Sequence, residues 1–132
     1  ACGAVSFEAN GEPRLQLYCH CRSCLTAHAA PVIEGALFKT SDVTFTGETT
    51  RVTVTGRPDA AVRFACAKCG TKVINEPNPK LRLILPSLCE SREWFKPSMH
   101  IHFQDHVLEP RDDLPKYLDL PAPMGGSGKI AE

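Results

Sequence analysis

Three thiols stand within six residues in Tyr18-Cys19-His20-Cys21-Arg22-Ser23-Cys24. Thiolate and imidazole are the ligands zinc prefers, and they surround it as a tetrahedron. A sharp backbone turn lets Cys19, Cys21 and Cys24 converge on one ion. Cys21 and Cys24 have the spacing of a knuckle, and Cys19 extends from a strand end to supply the third sulfur. Three protein ligands leave one coordination position open, as in zinc sites that bind substrate. His20 lies between two of these ligands, which turns its ring away from the ion and makes it a weaker choice for the fourth position. The catalytic role open to it is that of a proton shuttle.

A second cluster, Cys66-Ala67-Lys68-Cys69-Gly70, is a knuckle followed by glycine. Gly70 can take the positive φ that turns backbone N–H groups toward the sulfurs, and the charge of Lys68 favours thiolate. Cys2 is the natural third ligand. Cys89 has no neighbouring cysteine. It reads first as a small, half-buried apolar residue, and second as a candidate fourth ligand of this site.

Seven cysteines are an odd number, which fits a fully paired disulfide framework poorly. The spacings suit Zn2+, up to two ions per chain, and a reducing compartment is expected, with a cytoplasmic location. Lys plus Arg and Asp plus Glu number 15 each, for a formal net charge of zero. That balance argues against a protein that tracks nucleic-acid phosphates. No apolar run approaches the length of a membrane span.

The elements that must position these thiols are mostly short strands. Apolar residues alternate at Val5 and Phe7, Leu15 and Leu17, Val43 and Phe45, Val52 and Val54, Leu81, Leu83 and Leu85, and Ile101 and Phe103. Gly and Pro punctuate them. A helix is expected over residues 23–30, and a short helical turn over residues 112–117 with Asp112 and Asp113 at its cap. The fold class is mainly β, of small antiparallel sheets with one or two short helical turns. Residues 1–120 form one zinc-binding domain, and residues 121–132, rich in Pro, Gly and Ser, are a tail that wraps the surface or stays flexible.

His100 and His102 are expected on one strand face, half-exposed because Ile101 and Phe103 claim the core. Hydrogen bonding by His100 is the preferred role over a third metal site. Trp94 and Phe95 read as core or pocket wall. Ser23 and Ser98 lack the partners of a serine nucleophile.

From Cys2 to about Tyr117 the chain resembles the glutathione-dependent formaldehyde-activating enzymes, the GFA or CENP-V/GFA domain. The resemblance is carried in order by residues 2–8, by Cys19-His20-Cys21-Arg22-Ser23-Cys24, and by Arg63-Phe64-Ala65-Cys66-Ala67-Lys68-Cys69-Gly70-Thr71. Pro97-Ser98-Met99-His100-Ile101 and Asp113-Leu114-Pro115 complete it. It implies the Mss4-like fold, in which small β-sheets pack around zinc. It implies a structural zinc on Cys2, Cys66 and Cys69, completed in the family by a cysteine just before the position of Ala1. It also implies a substrate-facing zinc on Cys19, Cys21 and Cys24. The implied activity is that of a carbon–sulfur lyase run in reverse, joining formaldehyde to glutathione. Its partners are then a small thiol and an aldehyde, with no nucleic acid and no membrane.

Two departures bear on substrate. Leu25 and Thr26 stand where the family places basic residues, and Val107 and Leu108 occupy the region of its late Trp. A pocket for the carboxylates of glutathione is weakened accordingly. The rival to an enzyme is a zinc-stabilised binding module, which the Mss4-like fold also hosts. An open position at the Cys19 cluster discriminates the two.

Overall fold

The computed structural model describes residues 1–53 and 61–132. In chain order the regular elements are β1 (Ser6–Ala9), β2 (Leu15–Cys19), α1 (Arg22–His28), β3 (Ile33–Lys39), β4 (Val43–Thr46), β5 (Thr49–Val52), β6 (Val62–Cys66), β7 (Lys72–Asn78), β8 (Leu81–Ile84) and β9 (His100–Ile101). The protein is mainly β, as its alternating apolar residues predict. Val54, expected in a strand with Val52, lies outside the described residues. The chain divides into two units, Ala1–Leu15 with Ala36–Arg92 and Gln16–Gly35 with Glu93–Glu132.

In the first unit β1 pairs antiparallel with β4, setting Phe7 opposite Phe45. β5, β6, β7 and β8 pair antiparallel in succession, and β8 pairs with the end of β3, from Ala36 to Lys39. Ala36, Phe38, Val43, Ile74 and Ile84 form the buried cluster. Burying a side chain such as Ile74 contributes about 1.5–3 kcal/mol relative to exposure. Phe7, Ala9, Phe45 and Cys89 pack against this cluster. Cys89 thus takes the apolar role, and it belongs to neither group of converging thiols.

β3 and β7 show why alternation undercounts strands. Leu37 and Phe38 are both buried, as are Val73, Ile74 and Asn75, so neither strand has a solvent face to show as polar positions. β7 also contains Pro77, which cannot donate to a ladder. The β7–β8 register shifts between Asn75 and Asn78, and Pro77 falls in that irregularity.

Gly47 fixes the turn after β4. Its φ is +105°, and a Cβ there would lie 2.3 Å from the Ala4 carbonyl oxygen and 3.0 Å from Val5 Cα. Backbone cannot retreat as a flexible side chain can, so Gly47→Ala is expected to destabilise the first unit by on the order of 3 kcal/mol. Urea unfolding would measure it, and an unchanged midpoint would contradict this account of the turn.

In the second unit Tyr18 and Cys19 of β2 pair in parallel with His100 and Ile101 of β9. On the other side of β9 the His100 N–H donates to Pro115 O, and the Tyr117 N–H donates to His100 O. α1 starts at Arg22 and stops before Ala29, earlier than the expected end at residue 30. Ala29 takes a left-handed conformation at φ 49°, its N–H returning to the last turn, and Pro31 cannot extend the helix. The expected helical turn over residues 112–117 does not form. Asp112 instead accepts the Leu114 N–H and caps a bend, leaving residues 115–117 extended beside β9.

His102 leaves the strand. Its φ of 53° ends β9 after Ile101, so His100 and His102 do not share a face. Nor is His100 half-exposed, because β2 covers one edge of β9 and residues 115–117 the other; only 1% of it is accessible. Residues 121–132 fold back through hydrogen bonds from Leu118 N to Lys129 O, from Ala131 N to Lys116 O and from Ser127 to Asp119.

Candidate metal centres

Each unit carries one group of three thiols. In the second unit the Sγ atoms of Cys19, Cys21 and Cys24 lie within 4.8 Å of one another. Cys19 is the last residue of β2 and is buried, while Cys21 and Cys24 are half-buried on the turn into α1. Cys21 takes the place of the usual N-cap oxygen, its sulfur accepting the Cys24 N–H at 3.4 Å. The same turn that starts the helix therefore brings two thiols back toward the strand end. Cys19 stands 3.7 Å from Cys24, and Ser23 Oγ is 3.4 Å from Cys21 Sγ.

Three thiols so close do not ionise alike. Contacts from Cys19 and Cys24, joined by the Ser23 hydroxyl and the Cys24 N–H, hold Cys21 far below the ordinary thiol range. Cys19 is pushed up by hydrogen bonding to Cys21 and Cys24 and by burial. A three-sulfur donor set of this kind fits a zinc ion, since thiolates are its preferred ligands and a cation relieves their mutual repulsion.

In the first unit Cys2, Cys66 and Cys69 form the other group, again with sulfurs within 4.8 Å of one another. Cys66 ends β6 and is buried, whereas Cys2 and Cys69 are exposed. Gly70 takes the positive φ expected of it, 81°, and its own N–H donates to Cys66 O rather than to a sulfur. Cys2 lies 3.7 Å from Cys66. The Thr71 hydroxyl is 3.2 Å from Cys69 Sγ, and this contact, with backbone N–H groups of Thr71 and Cys2, lowers the Cys69 thiol to about 5. A poised thiolate beside two further thiols is again a fitting zinc donor set.

His20 belongs to neither group of converging ligands. It is fully buried, and its Nε2 lies 2.9 Å from His100 Nδ1. His100 Nε2 in turn lies 2.9 and 3.1 Å from the two carboxylate oxygens of Asp112. The Asp112 carboxylate also accepts the Leu114 N–H at 3.0 Å and Lys116 Nζ at 3.2 Å. Burial alone would raise the Asp112 pKa, but the hydrogen bonds from His100, Leu114 and Lys116 outweigh it and keep the carboxyl ionised. Burial, followed by the neighbouring His100 and His106, lowers His20 to about 4. Tyr18 stacks on His100 with centroids 4.9 Å apart, and Phe103 meets His20 edge-on at 5.1 Å. His20 Nδ1 is buried with no hydrogen-bond partner among the described residues.

The Asp112–His100–His20 chain was not legible from spacing. His100 is separated from His20 by 80 positions, and only the parallel pairing of β2 with β9 brings them together. His106 joins the edge of this cluster, stacked on Phe103 at 3.8 Å and hydrogen-bonded to Glu109, which raises its pKa. Trp94 is partly exposed and meets Phe95 edge-on at 6.3 Å.

The family model for the glutathione-dependent formaldehyde-activating enzymes matches residues 1–105 of the chain. No curated protein matches its sequence. Among solved structures it is similar to a Rhodobacter sphaeroides protein determined as a structural-genomics target. The TM-score is 0.53 at 21% identity, over 68% of this chain and 84% of that one, which is a likeness of fold.

Proposed function

Since the chain belongs to the glutathione-dependent formaldehyde-activating enzyme family, we propose that it is a zinc-dependent carbon–sulfur lyase that joins a thiol reversibly to formaldehyde or another small carbonyl. The observation that carries this reading is the half-buried three-thiol group of Cys19, Cys21 and Cys24, with no fourth ligand in it among the described residues. Zinc held there would lower the pKa of an incoming thiol, a role that suits an ion whose Lewis acidity three thiolates have moderated.

The chain's own residues supply the rest. Cys19 anchors the triad to β2, and α1 holds Cys21 and Cys24 in register with it. His20 Nδ1, the ring nitrogen without a partner, is the proposed acceptor of the substrate thiol's proton. Cys2, Cys66 and Cys69 are assigned to a structural zinc, because they tie the chain start to the end of β6 and its turn. None of the seven cysteines is in a disulfide, which supports a reducing compartment such as the cytoplasm. No described helix is long and apolar enough to cross a membrane.

Substrate choice follows from α1. Leu25 is half-buried and Thr26 exposed, with its hydroxyl donating to Arg22 O, so neither offers a cation to a substrate carboxylate. Each charge-assisted contact is worth about 1.5–3 kcal/mol, and the loss of one weakens binding about tenfold. The expected result is that zinc-loaded protein binds glutathione at least tenfold more weakly than a neutral thiol of similar reach. Calorimetry measures this directly. Micromolar glutathione binding with no advantage for the neutral thiol would restore glutathione as the substrate.

A further inference from the structure

We propose that Asp112 and His100 are positioning residues for His20, fixing its ring and its tautomer so that Nε2 carries the hydrogen and Nδ1 the lone pair. This rests on the role given to His20 above. The assignment follows from donors and acceptors taken in order. Asp112 is a carboxylate and only accepts, so His100 Nε2 carries a hydrogen and donates to it. In neutral His100 the other nitrogen, Nδ1, is then a lone pair. It faces His20 Nε2 at 2.9 Å and accepts a hydrogen from it. Neutral His20, protonated at Nε2, carries its lone pair on Nδ1, the atom that has no other partner.

Rigidity supports the same reading. Asp112 Oδ1 is held by the Leu114 N–H at 3.0 Å and by Lys116 Nζ at 3.2 Å. His100 is held by backbone bonds to Pro115 and Tyr117 and by the stacked ring of Tyr18. His20 is held by its own N–H to Ile101 O at 3.1 Å and by the edge contact with Phe103. Every member of the chain is therefore fixed before any substrate arrives, and its orientation propagates from Asp112 to His20.

Asp112→Asn tests the proposal, because it preserves shape and inverts the pattern. The two donors on Oδ1 require the asparagine oxygen at that position, so its NH2 group faces His100. His100 must then accept at Nε2 and donate from Nδ1, and His20 must accept at Nε2 and carry its hydrogen on Nδ1. Nitrogen-15 NMR of the imidazoles in full-length, zinc-loaded protein reads this without reference to activity. Wild type should show Nε2–H on both His20 and His100, and Asp112→Asn should show Nδ1–H on both. The rate of thiol addition to formaldehyde should fall in kcat by tenfold or more, with KM for the thiol little changed.

His100→Asn and His100→Gln provide the second arm and serve alone if Asp112→Asn does not fold. The asparagine oxygen stands near the place of Nδ1 and can still accept from His20 Nε2, so the His20 tautomer and most of the rate should survive. The longer glutamine reaches toward Asp112 and loses that contact, so both should be lost. An unchanged His20 tautomer in Asp112→Asn, or a wild-type His20 protonated at Nδ1, would overturn the proposal. A wild-type protein that shows the expected tautomers but adds no thiol to any carbonyl would instead refute the proposed function and leave the positioning network standing.

Discussion

Replacing Cys69 with serine is expected to unfold the first unit under conditions in which the wild-type protein is fully folded. Structural thiolate zinc contributes on the order of 10 kcal/mol in small domains. That is comparable with the whole stability of a domain, about 5–15 kcal/mol. The core of this unit is modest: among the described residues its central buried cluster is Ala36, Phe38, Val43, Ile74 and Ile84. The Thr71 hydroxyl and backbone N–H groups also hold the Cys69 thiol below its ordinary range. A serine hydroxyl in its place neither ionises at neutral pH nor binds zinc strongly. A sharp fall in melting temperature, together with loss of one metal ion per chain, is the expected outcome. An unchanged melting curve would rule out a structural role for the Cys2, Cys66 and Cys69 group.

Replacing Cys21 with serine should act differently. Metal at the second group should be lost and thiol addition should fall below detection, while the circular dichroism of the protein stays close to wild type. Contacts from Cys19, Cys24 and Ser23 hold the Cys21 thiol well below the ordinary range, which suits it as a metal ligand. Its side chain also caps α1, at a cost when weakened of about 1 kcal/mol, which is small beside the loss of the Cys69 site. The β-ladders and apolar cluster of the first unit use no residue of this turn. Metal analysis with circular dichroism separates the two cases. Global unfolding by Cys21→Ser, equal to that by Cys69→Ser, would contradict the division into a functional and a structural site.

How much of this was legible in the sequence depends on the distance over which each feature is built. Cys19, Cys21 and Cys24 converge through one local turn, and Cys66 and Cys69 through another, so their spacing is legible. Cys2 is 64 positions from Cys66, but an unpaired thiol beside a two-ligand knuckle left few alternatives. The strands with one solvent face, such as β1 and β4, show their alternation. β3 and β7 hide theirs because both faces are buried. The Asp112–His100–His20 chain needs a parallel pairing between residues 80 positions apart, which no local pattern encodes. The alternation of His100-Ile101-His102-Phe103 even pointed the wrong way, because it could not show that His102 would take a left-handed conformation and end the strand. Asp112, expected to cap a helical turn over residues 112–117, caps a bend instead. It accepts the Leu114 N–H, and its second oxygen proved to serve His100.

The central claim is that the Cys19, Cys21 and Cys24 group activates a thiol for addition to a carbonyl. Exchange NMR of carbon-13 formaldehyde with a small neutral thiol, using catalytic amounts of zinc-loaded protein, tests it most directly. The account predicts that wild-type protein accelerates interconversion of free formaldehyde and the S-hydroxymethyl adduct, and that neither Cys21→Ser nor metal-stripped protein does so. Equal exchange rates with and without the zinc-loaded wild-type protein, across neutral thiols and glutathione alike, would contradict it.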